Sequence, residues 1–510
     1  MTVRPVGRHA ALVELDSTAA VHRLWRAVRA GPPPGVIDLV PGALTLLVVT
    51  AGSDAVEVAS QLPTVPSTAH DAPGRTVTVD TVYDGPDLDE VAELAGVSRE
   101  EVVRRHAASA FRVAFIGFSP GFAYLSGGDP LLDVPRLASP RPSVPAGSVA
   151  LAAGMCAVYP QSTPGGWRLL GRTDAPLFDP RRYEPSLLSP GDTVRFRPVA
   201  RVGPAPGLRA EPAGRPGAGQ PAVEVLAPGP LLTLQDEGRA GWAHVGVSPA
   251  GAADRGSARA ANRLVGNPDG AAVLEATLGG CRLRMRADRA VAFTGGDAAV
   301  TVDGIPARSG ARLPLRAGAE IAVGPCRKGL RVYVAVEGGF EVPPVLGSRS
   351  TDTLSGLGPA RLTPGDVLAL GFPSDRAGGV EPLKLPAAPS HPSAAGAAVR
   401  LQAELGPQHD RLSVSGRRTL REAGFTVATT SARTGVRLDG PVVELARAQD
   451  IPSQGVVAGA VQLPPGGRPI VLMRNHPATG GYPVVAVVGD EGVDVLAQCP
   501  PGTEVRFLLS

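Results

Sequence analysis

The chain has few cysteines and no long apolar run, and these absences exclude several classes of protein. Its four cysteines, Cys156, Cys281, Cys326 and Cys499, lie far apart and form no CxxC pair. We therefore expect buried free thiols rather than a zinc ribbon or a disulfide framework. No run approaches the roughly 20 apolar residues of a membrane span, and the N-terminus lacks the pattern of a signal peptide. These absences predict a cytoplasmic protein.

Basic and acidic residues are nearly balanced, and the common nucleotide-binding motifs are missing. The net charge is +3, from 50 basic and 47 acidic residues, so no electrostatic footprint for nucleic acid or an anionic membrane is present. The sequence has no Walker A motif, no kinase-type glycine-rich loop and no Met-Lys-Met biotin-attachment site. An ATP site in this chain would have to be built differently, or lie with a partner.

Aromatic residues make up only 4% of the chain, so the cores must be built mainly from Val, Leu and Ala. Glycine (64 residues) and proline (53 residues) are abundant, and they separate short Val/Leu runs. This composition is typical of turn-rich β structure. The fold class we predict is therefore mainly β, with an α+β N-terminal part.

The first 90 residues alternate between strand and helix patterns. The order β-α-β-β-α-β predicts a ferredoxin-like α+β unit over residues 1–90, in which Ser17 caps the first helix. Ser98 and Glu101 form a capping box for a later helix. The predicted strands are His9–Leu15, Gly35–Val40, Leu44–Thr50 and Arg75–Tyr83, and the predicted helices are Ser17–Arg29 and Asp54–Leu62.

Segments rich in proline and alanine divide the rest of the chain. We predict a β-barrel over residues 91–201, a linker over 202–221, a second barrel over 222–377, an Ala/Pro-rich linker over 378–397 and a third barrel over 398–510. The one clear helix of the second half runs from Ala252 to Val265, where Asp254 and Asn262 share a face.

Several motifs of the first half resemble those of allophanate-hydrolase-subunit-1-type proteins. They are Gly117-Phe-Ser-Pro-Gly-Phe-Ala-Tyr-Leu125, Pro140-Arg-Pro-Ser-Val-Pro-Ala-Gly-Ser-Val149, Tyr159-Pro-Gln-Ser-Thr-Pro-Gly-Gly-Trp167 and Gly171-Arg-Thr173. Motifs of the second half resemble allophanate-hydrolase subunit 2, in the family's order. They include Leu234-Gln-Asp-Glu-Gly-Arg239, Gly246-Val-Ser-Pro-Ala-Gly251, Gly347-Ser-Arg-Ser-Thr-Asp352, Gly406-Pro-Gln408, Gly459-Ala-Val-Gln462 and Thr479-Gly-Gly-Tyr-Pro483.

This resemblance implies cyclophilin-like β-barrels, one in the first half and two in the second, and a composite site. It also implies that the chain fuses the second and third subunits of an ATP-dependent 5-oxoprolinase. Such an enzyme uses ATP and Mg²⁺ and needs a separate first subunit of the LamB/YcsF type. Two other functions remain open: a regulatory inhibitor or antagonist of a sensor histidine kinase, and a carboxyltransferase-like protein acting on urea or a related amide.

Arginines are the first candidates for binding the substrate or ATP. Opening a lactam with ATP requires groups that bind a carboxylate and transferred phosphoryl charge, and the planar guanidinium suits both tasks. Each arginine could instead form an ordinary surface ion pair. The candidates are Arg136, Arg141 and Arg172 in the first half, and Arg239 and Arg349 in the second.

The same motifs supply the other candidates. Gly165, Gly166 and Trp167 could cradle an anion or simply form a turn. Asp236 and Asp254 offer oxygen ligands for Mg²⁺, Glu275 a base, and His476 a proton shuttle. The alternatives are a helix-start carboxylate, a buried ion pair and a hydrogen-bonded loop histidine, and the metal ligands remain undecided. Further candidates for substrate or ATP binding are Ser148, Asn262, Gln462, Asn475, Thr479 and Tyr482.

Two positions depart from the pattern that the resemblance implies. Relatives often carry Ser-Glu-Gly where this chain has Ser453-Gln454-Gly455, and an aspartate where it has Asn475. If either carboxylate bound a metal or took a proton, its loss would affect activity.

Overall fold

A computed structural model describes residues 1–63, 74–208, 220–373, 398–447 and 451–510. The predicted linker 202–221 falls mostly outside the described residues, and the predicted linker 378–397 falls wholly outside them. The described chain is mainly β with few helices, which confirms the predicted fold class at that level. None of the helices in the described parts has the length and apolarity that crossing a bilayer requires.

The chain begins with a four-stranded antiparallel sheet, which we call the N-terminal sheet, in the order β1-β2-β4-β3. The core beneath it contains Val13, Leu24, Trp25 and Leu46. Ser17 caps the first helix by accepting a hydrogen bond from the Ala20 backbone N–H at 3.2 Å, as predicted. The elements are β1 (Thr2–Pro5), β2 (Ala10–Glu14), α1 (Thr18–Ala30), β3 (Val36–Pro41), β4 (Thr45–Thr50) and α2 (Ala55–Ser60).

The ferredoxin-like unit is not confirmed, because the last strand of the predicted pattern leaves the N-terminal sheet. That strand, β5 (Thr76–Thr81), pairs in parallel with β13 (Thr193–Pro198) in the next sheet. At the edge of the N-terminal sheet, β1 pairs with β2 instead.

The next region is a seven-stranded sheet in the order β12-β9-β10-β7-β6-β13-β5. Its two edges meet where Val82 and Arg172 exchange backbone hydrogen bonds of 2.9 Å, so the sheet is barrel-like. Ser98 caps α4 as predicted by accepting from the Glu101 backbone N–H at 3.2 Å, but the Glu101 carboxylate pairs with Arg104 and Arg105 instead of completing the capping box. Gly96 ends α3 in the left-handed conformation. The further elements are α3 (Leu88–Ala95), α4 (Arg99–Ala108), β6 (Phe111–Ile116), β7 (Ala123–Ser126), β8 (Arg141–Val144), β9 (Ser148–Ala152), β10 (Met155–Val158), β11 (Thr163–Gly165) and β12 (Arg168–Arg172).

The second half starts with a ten-stranded sheet built around two long strands, β18 and β21. The predicted helix begins three residues late, at Arg255, because Asp254 is extended and caps it by accepting from the Ser257 N–H at 2.8 Å. The elements are β14 (Gln220–Ala227), β15 (Leu231–Gln235), α5 (Arg255–Leu264), β16 (Val273–Thr277), β17 (Arg282–Met285), β18 (Arg289–Val302), β19 (Ile305–Ala307), β20 (Leu313–Leu315), β21 (Glu320–Val336), β22 (Phe340–Glu341) and β23 (Val367–Leu370).

The chain ends in a closed barrel, which we call the last barrel, in the order β24-β31-β28-β29-β26-β25-β32. A separate two-stranded ribbon, β27 with β30, lies beside it. The elements are β24 (Val399–Leu405), α6 (Val414–Glu422), β25 (Phe425–Val427), β26 (Gly435–Asp439), β27 (Gln454–Gly455), β28 (Ala460–Gln462), β29 (Ile470–Leu472), β30 (Thr479–Gly480), β31 (Val484–Val488), α7 (Asp490–Ala497) and β32 (Glu504–Leu509).

The two halves of the chain share a hydrophobic core. Leu12 and Leu47 of the N-terminal sheet pack with Val456, Leu472 and Val487 of the C-terminal region in one buried cluster. This shared core holds the N-terminal sheet against the last barrel, and it fixes the walls of the cleft between them.

Candidate functional site

A cleft of about 280 Å³ lies between the N-terminal sheet and the last barrel. The N-terminal sheet contributes Arg4, Glu14 and Thr45, and the C-terminal region contributes Gln408 and Gln454. We call this space the inter-half cleft. It is composite, because neither half alone supplies both walls.

The turn before β4 positions the first wall. The Gly42 N–H donates to the Thr45 carbonyl at 2.7 Å, and the Ala43 N–H donates across the cleft to the Ser453 carbonyl at 2.8 Å. A β-carbon on Gly42 would lie 2.6 Å from the Ser453 carbonyl oxygen, so only glycine allows this approach. Thr45 is thereby held close to the backbone of Gln454.

Two buried glutamines form the opposite wall. The Gln408 carboxamide donates to Gln454 Oε1 at 2.9 Å, and the Gln454 carboxamide donates back to Gln408 Oε1 at 3.0 Å. The Val484 backbone N–H also donates to Gln408 Oε1, at 3.0 Å. Gln454 is therefore in a position that uses both a donor and an acceptor, which a carboxylate could not supply.

One arginine spans the rim. The Arg4 guanidinium lies 2.8 Å from Glu14 and 3.6 Å from Asp410, and it donates to the Pro407 carbonyl at 3.2 Å. Glu14 holds the Arg4 pKa above its usual value. The rim thus has a cation that already binds carboxylates.

Three predicted residues lie just behind the cleft. β30, which begins at Thr479, pairs with β27, which begins at Gln454. Gly117 of the first half packs directly on Thr479, and a β-carbon there would overlap the threonine hydroxyl. Gln462 packs against Gly480, and Tyr482 is 38% exposed. These contacts bring a motif of the first half against two motifs of the second.

Asn475 joins three loops at a fully buried position. Its amide donates to Asp352 Oδ1 at 2.7 Å and to Ser248 Oγ at 3.1 Å. Its Oδ1 accepts from the Thr353 N–H at 3.2 Å and from the Thr353 hydroxyl at 3.0 Å. An aspartate here would face the Asp352 carboxylate, so the neutral residue suits its surroundings.

His476 is buried beside two arginines. Burial is the main cause that lowers its pKa to about 4; a hydrogen bond with the Pro477 carbonyl at 2.8 Å opposes this shift, and the positive charges of Arg474 and Arg255 add to it. The imidazole is therefore neutral near pH 7.

Glu275 and Asp254 belong to a buried network that links the ten-stranded sheet to the last barrel. Glu275 accepts from the Ala253 N–H at 2.9 Å and from the Tyr333 hydroxyl at 2.9 Å, and it pairs with Arg433. Burial raises its pKa, but Arg433 and Arg331 outweigh burial and keep it below its usual value.

The two oxygens of Asp254 are also occupied. They accept from the Ser257 N–H and hydroxyl and, at 2.8 Å, from Gln498. Burial raises the Asp254 pKa, and the Asp494 carboxylate raises it further. Both predicted acids therefore lie away from the cleft and already have full sets of partners.

Asp236 and two predicted arginines form another internal cluster. Asp236 accepts from the hydroxyls of Ser348 and Ser350 at 2.6 and 2.5 Å, and from the backbone N–H groups of Gly238 and Arg349. Arg239 is 1% exposed, and its guanidinium donates to the carbonyls of Val345 and Ser350.

The predicted Mg²⁺ ligands do not fit that role in this arrangement. The oxygens of Asp236 and Asp254 already accept hydrogen bonds, which leaves them poorly placed to coordinate an ion. No group of three or more His, Cys, Asp or Glu side chains suited to a metal ion occurs in the described residues.

The remaining candidates lie apart from the cleft. Arg141 pairs with Asp87 at 2.5 Å, Arg172 with Asp84 at 2.9 Å and Arg349 with Glu341 at 2.8 Å, while Arg136 is exposed. The Asn262 amide donates to the carbonyls of Asp269 and Ala271. Ser148 is buried. Trp167 packs in an aromatic cluster with Phe122 and Tyr124. Gly165 and Gly166, which precede Trp167, lie beside Tyr159 and Pro140, respectively.

Known families account for both halves. A family model described as carboxyltransferase domain, subdomain A and B, matches residues 245–509, and another, described as subdomain C and D, matches residues 1–188. The chain belongs to the carboxyltransferase-domain family. This is the family of allophanate-hydrolase subunits 1 and 2 that the sequence motifs predict.

Two of the named relatives are subunits of 5-oxoprolinase. The C subunit of Escherichia coli 5-oxoprolinase is 34% identical over 292 residues, which are 56% of this chain and 90% of that protein. The B subunit of Escherichia coli 5-oxoprolinase is 40% identical over 204 residues, which are 38% of this chain and 94% of that protein. Two separately named subunits thus correspond to the two halves of this chain.

Solved structures show the same arrangement in one chain. The chain in the crystal structure of TTHA0988 is 34% identical in sequence to this one. The two superpose with a TM-score of 0.85, and the match covers 99% of this chain and 100% of that chain. The urea amidolyase of K. lactis is 29% identical, with a TM-score of 0.52, and the match covers 58% of this chain but 19% of that one.

Sequence reasoning missed most of the residues that line the inter-half cleft, among them Arg4, Thr45 and Gln408. Gln408 had a signal, because it ends the motif Gly406-Pro-Gln408. Arg4 and Thr45 had none, because their importance arises only from the packing of the N-terminal sheet on the last barrel.

Proposed function

We propose that this chain is the fused B–C component of an ATP-dependent 5-oxoprolinase, which helps to convert 5-oxo-L-proline to L-glutamate. The observation that carries the proposal is that one chain spans nearly the whole of two proteins named as 5-oxoprolinase subunits. The composite inter-half cleft supports it, because fusion keeps both walls together.

Opening the lactam is uphill near neutral pH, so the reaction must be coupled to ATP. Phosphorylating the amide oxygen would make the ring carbonyl open to attack, and the site must stabilise the charge that develops there. The carboxylates predicted to hold Mg²⁺ already have hydrogen-bond partners. We therefore assign nucleotide and Mg²⁺ binding to an assembly that includes the LamB/YcsF-type first subunit.

Reconstitution tests the proposal. The purified chain, mixed with a LamB/YcsF-type protein, ATP, Mg²⁺ and 5-oxo-L-proline, should yield glutamate and ADP. The chain alone should yield no glutamate. No glutamate and no 5-oxoproline-dependent ADP from the pair would overturn the proposal and favour the regulatory alternative.

A second candidate is a carboxyltransferase-like reaction on urea or a related amide. The description of the matching family and the similarity to K. lactis urea amidolyase favour it. Supplying urea and carboxybiotin as the carboxyl donor, in place of 5-oxoproline and ATP, separates the two, because only this candidate predicts transfer of the carboxyl group to urea.

A further inference from the structure

We propose that the Gln408–Gln454 pair and the Thr45 hydroxyl form a recognition site for the amide group of a small carboxylate-bearing amide. This inference rests on the proposed function for the identity of the substrate, 5-oxo-L-proline. The site itself follows from the groups that line the inter-half cleft.

The orientation of the two carboxamides is fixed by the backbone. Because the Val484 N–H donates to Gln408 at 3.0 Å, the accepting atom must be the carbonyl oxygen. Gln454 must then present its amino group to that oxygen and accept from the Gln408 amino group. These three bonds leave an N–H on each amide and a lone pair on Gln454 Oε1 for another partner.

Thr45 adds an unused hydroxyl on the wall that faces the two glutamines. The residue is 9% exposed, lines the cleft, and its Oγ1 has no hydrogen-bond partner among the residues that the structure describes. A buried hydroxyl without a partner is unfavourable, so a ligand that supplies one gains affinity. A cis-amide in a lactam ring offers an N–H and a C=O side by side, which matches this combination of donors and acceptors.

The rim and the size of the cleft define the rest of the ligand. Arg4 contacts Glu14 closely but Asp410 only at 3.6 Å, and the Asp410 side chain is 57% exposed. A ligand carboxylate can replace Asp410 on the guanidinium at little cost. Leu15, Leu44 and Ile451 provide apolar walls, and a volume of about 280 Å³ lies at the small end of ligand sites, which suits a single ring rather than a nucleotide.

Thr45→Val tests the site, with Thr45→Ser as the matched control that keeps the hydroxyl. Calorimetric titration of the full chain, mixed with its LamB/YcsF-type partner, should show that Thr45→Val weakens 5-oxo-L-proline binding about tenfold or more, whereas Thr45→Ser binds within about threefold of the original chain. L-Proline, which lacks the ring carbonyl, should bind weakly to all three proteins. The preference for 5-oxo-L-proline over L-proline should thus fall only in Thr45→Val.

The outcomes separate this inference from the proposed function. Unchanged binding and unchanged KM in Thr45→Val, in a pair that makes glutamate, would overturn the inference and leave the function standing. Binding that depends on Thr45, in a pair that makes no glutamate, would support the site and contradict the function. Gln454→Met is a second variant, and equal binding in it and in the original chain would also overturn the inference.

Discussion

At the scale of single residues, the structure explains why Gln454 and Asn475 are neutral where relatives often carry a carboxylate. Gln454 donates to and accepts from Gln408, and Asn475 donates to Asp352 while accepting from Thr353. Both roles need an amide, because a carboxylate has no donor at neutral pH. The departures that the sequence shows are therefore compatible with an intact fold around the cleft.

His476 should make the free energy of unfolding decrease as the pH falls. Its pKa is about 4 in the folded chain and 6.5 in the unfolded chain. The folded state thus binds the proton more weakly, so this contribution to the free energy of unfolding is fully present above pH 6.5 and is lost as the pH falls through 4. It amounts to at most about 3 kcal/mol.

Urea unfolding between pH 4 and 7 measures this contribution. His476→Gln should lose less stability on acidification than the original chain does. His9→Gln, at an exposed histidine, controls for removing an imidazole. Equal slopes for His476→Gln and the original chain would contradict the assigned pKa.

At the scale of elements, local signals were predictable from the sequence and distant pairings were not. Ser17 and Ser98 cap their helices as predicted, because a cap depends on residues within one turn. The partner of β5 could not be predicted, because β13 is far along the chain and pairing depends on the packed sheet. The same reason hid Arg4 and Thr45, because the opposite wall of the inter-half cleft comes from the C-terminal region.

The loop that carries Asn475 offers a test at this scale. Asn475→Asp would place a second carboxylate against Asp352, remove two hydrogen-bond donors, and cost about 3 kcal/mol of stability. The loss should be smaller at pH 5 than at pH 8, because the two carboxylates can then share a proton.

Chemical denaturation of Asn475→Asp at both pH values measures the effect. The double variant Asn475→Asp/Asp352→Asn, which again has one carboxylate and one amide, should recover part of the loss. An identical loss at pH 5 and pH 8, with no recovery in the double variant, would show that charge repulsion is not the cause.

At the scale of the whole molecule, the two halves form one unit. Asp38 of the N-terminal sheet accepts from the backbone N–H groups of Gly241 and Ala243 at 3.0 and 3.3 Å. Burial raises its pKa to about 6, although these hydrogen bonds oppose the rise. With the core shared by Leu47 and Val456, and with Gly117 on Thr479, this contact makes the inter-half cleft a property of the intact assembly.

The central claim, that both halves build one site, is tested most directly by cutting the chain between them. A site-specific protease sequence replacing residues 209–219 would allow cleavage, and sedimentation velocity would follow the products. We predict one particle with the mass of the uncut 52.0 kDa chain, whereas the cut Val456→Asp variant, with a charge in the shared core, should dissociate. Two fragments of the cut original chain that sediment independently would contradict the claim.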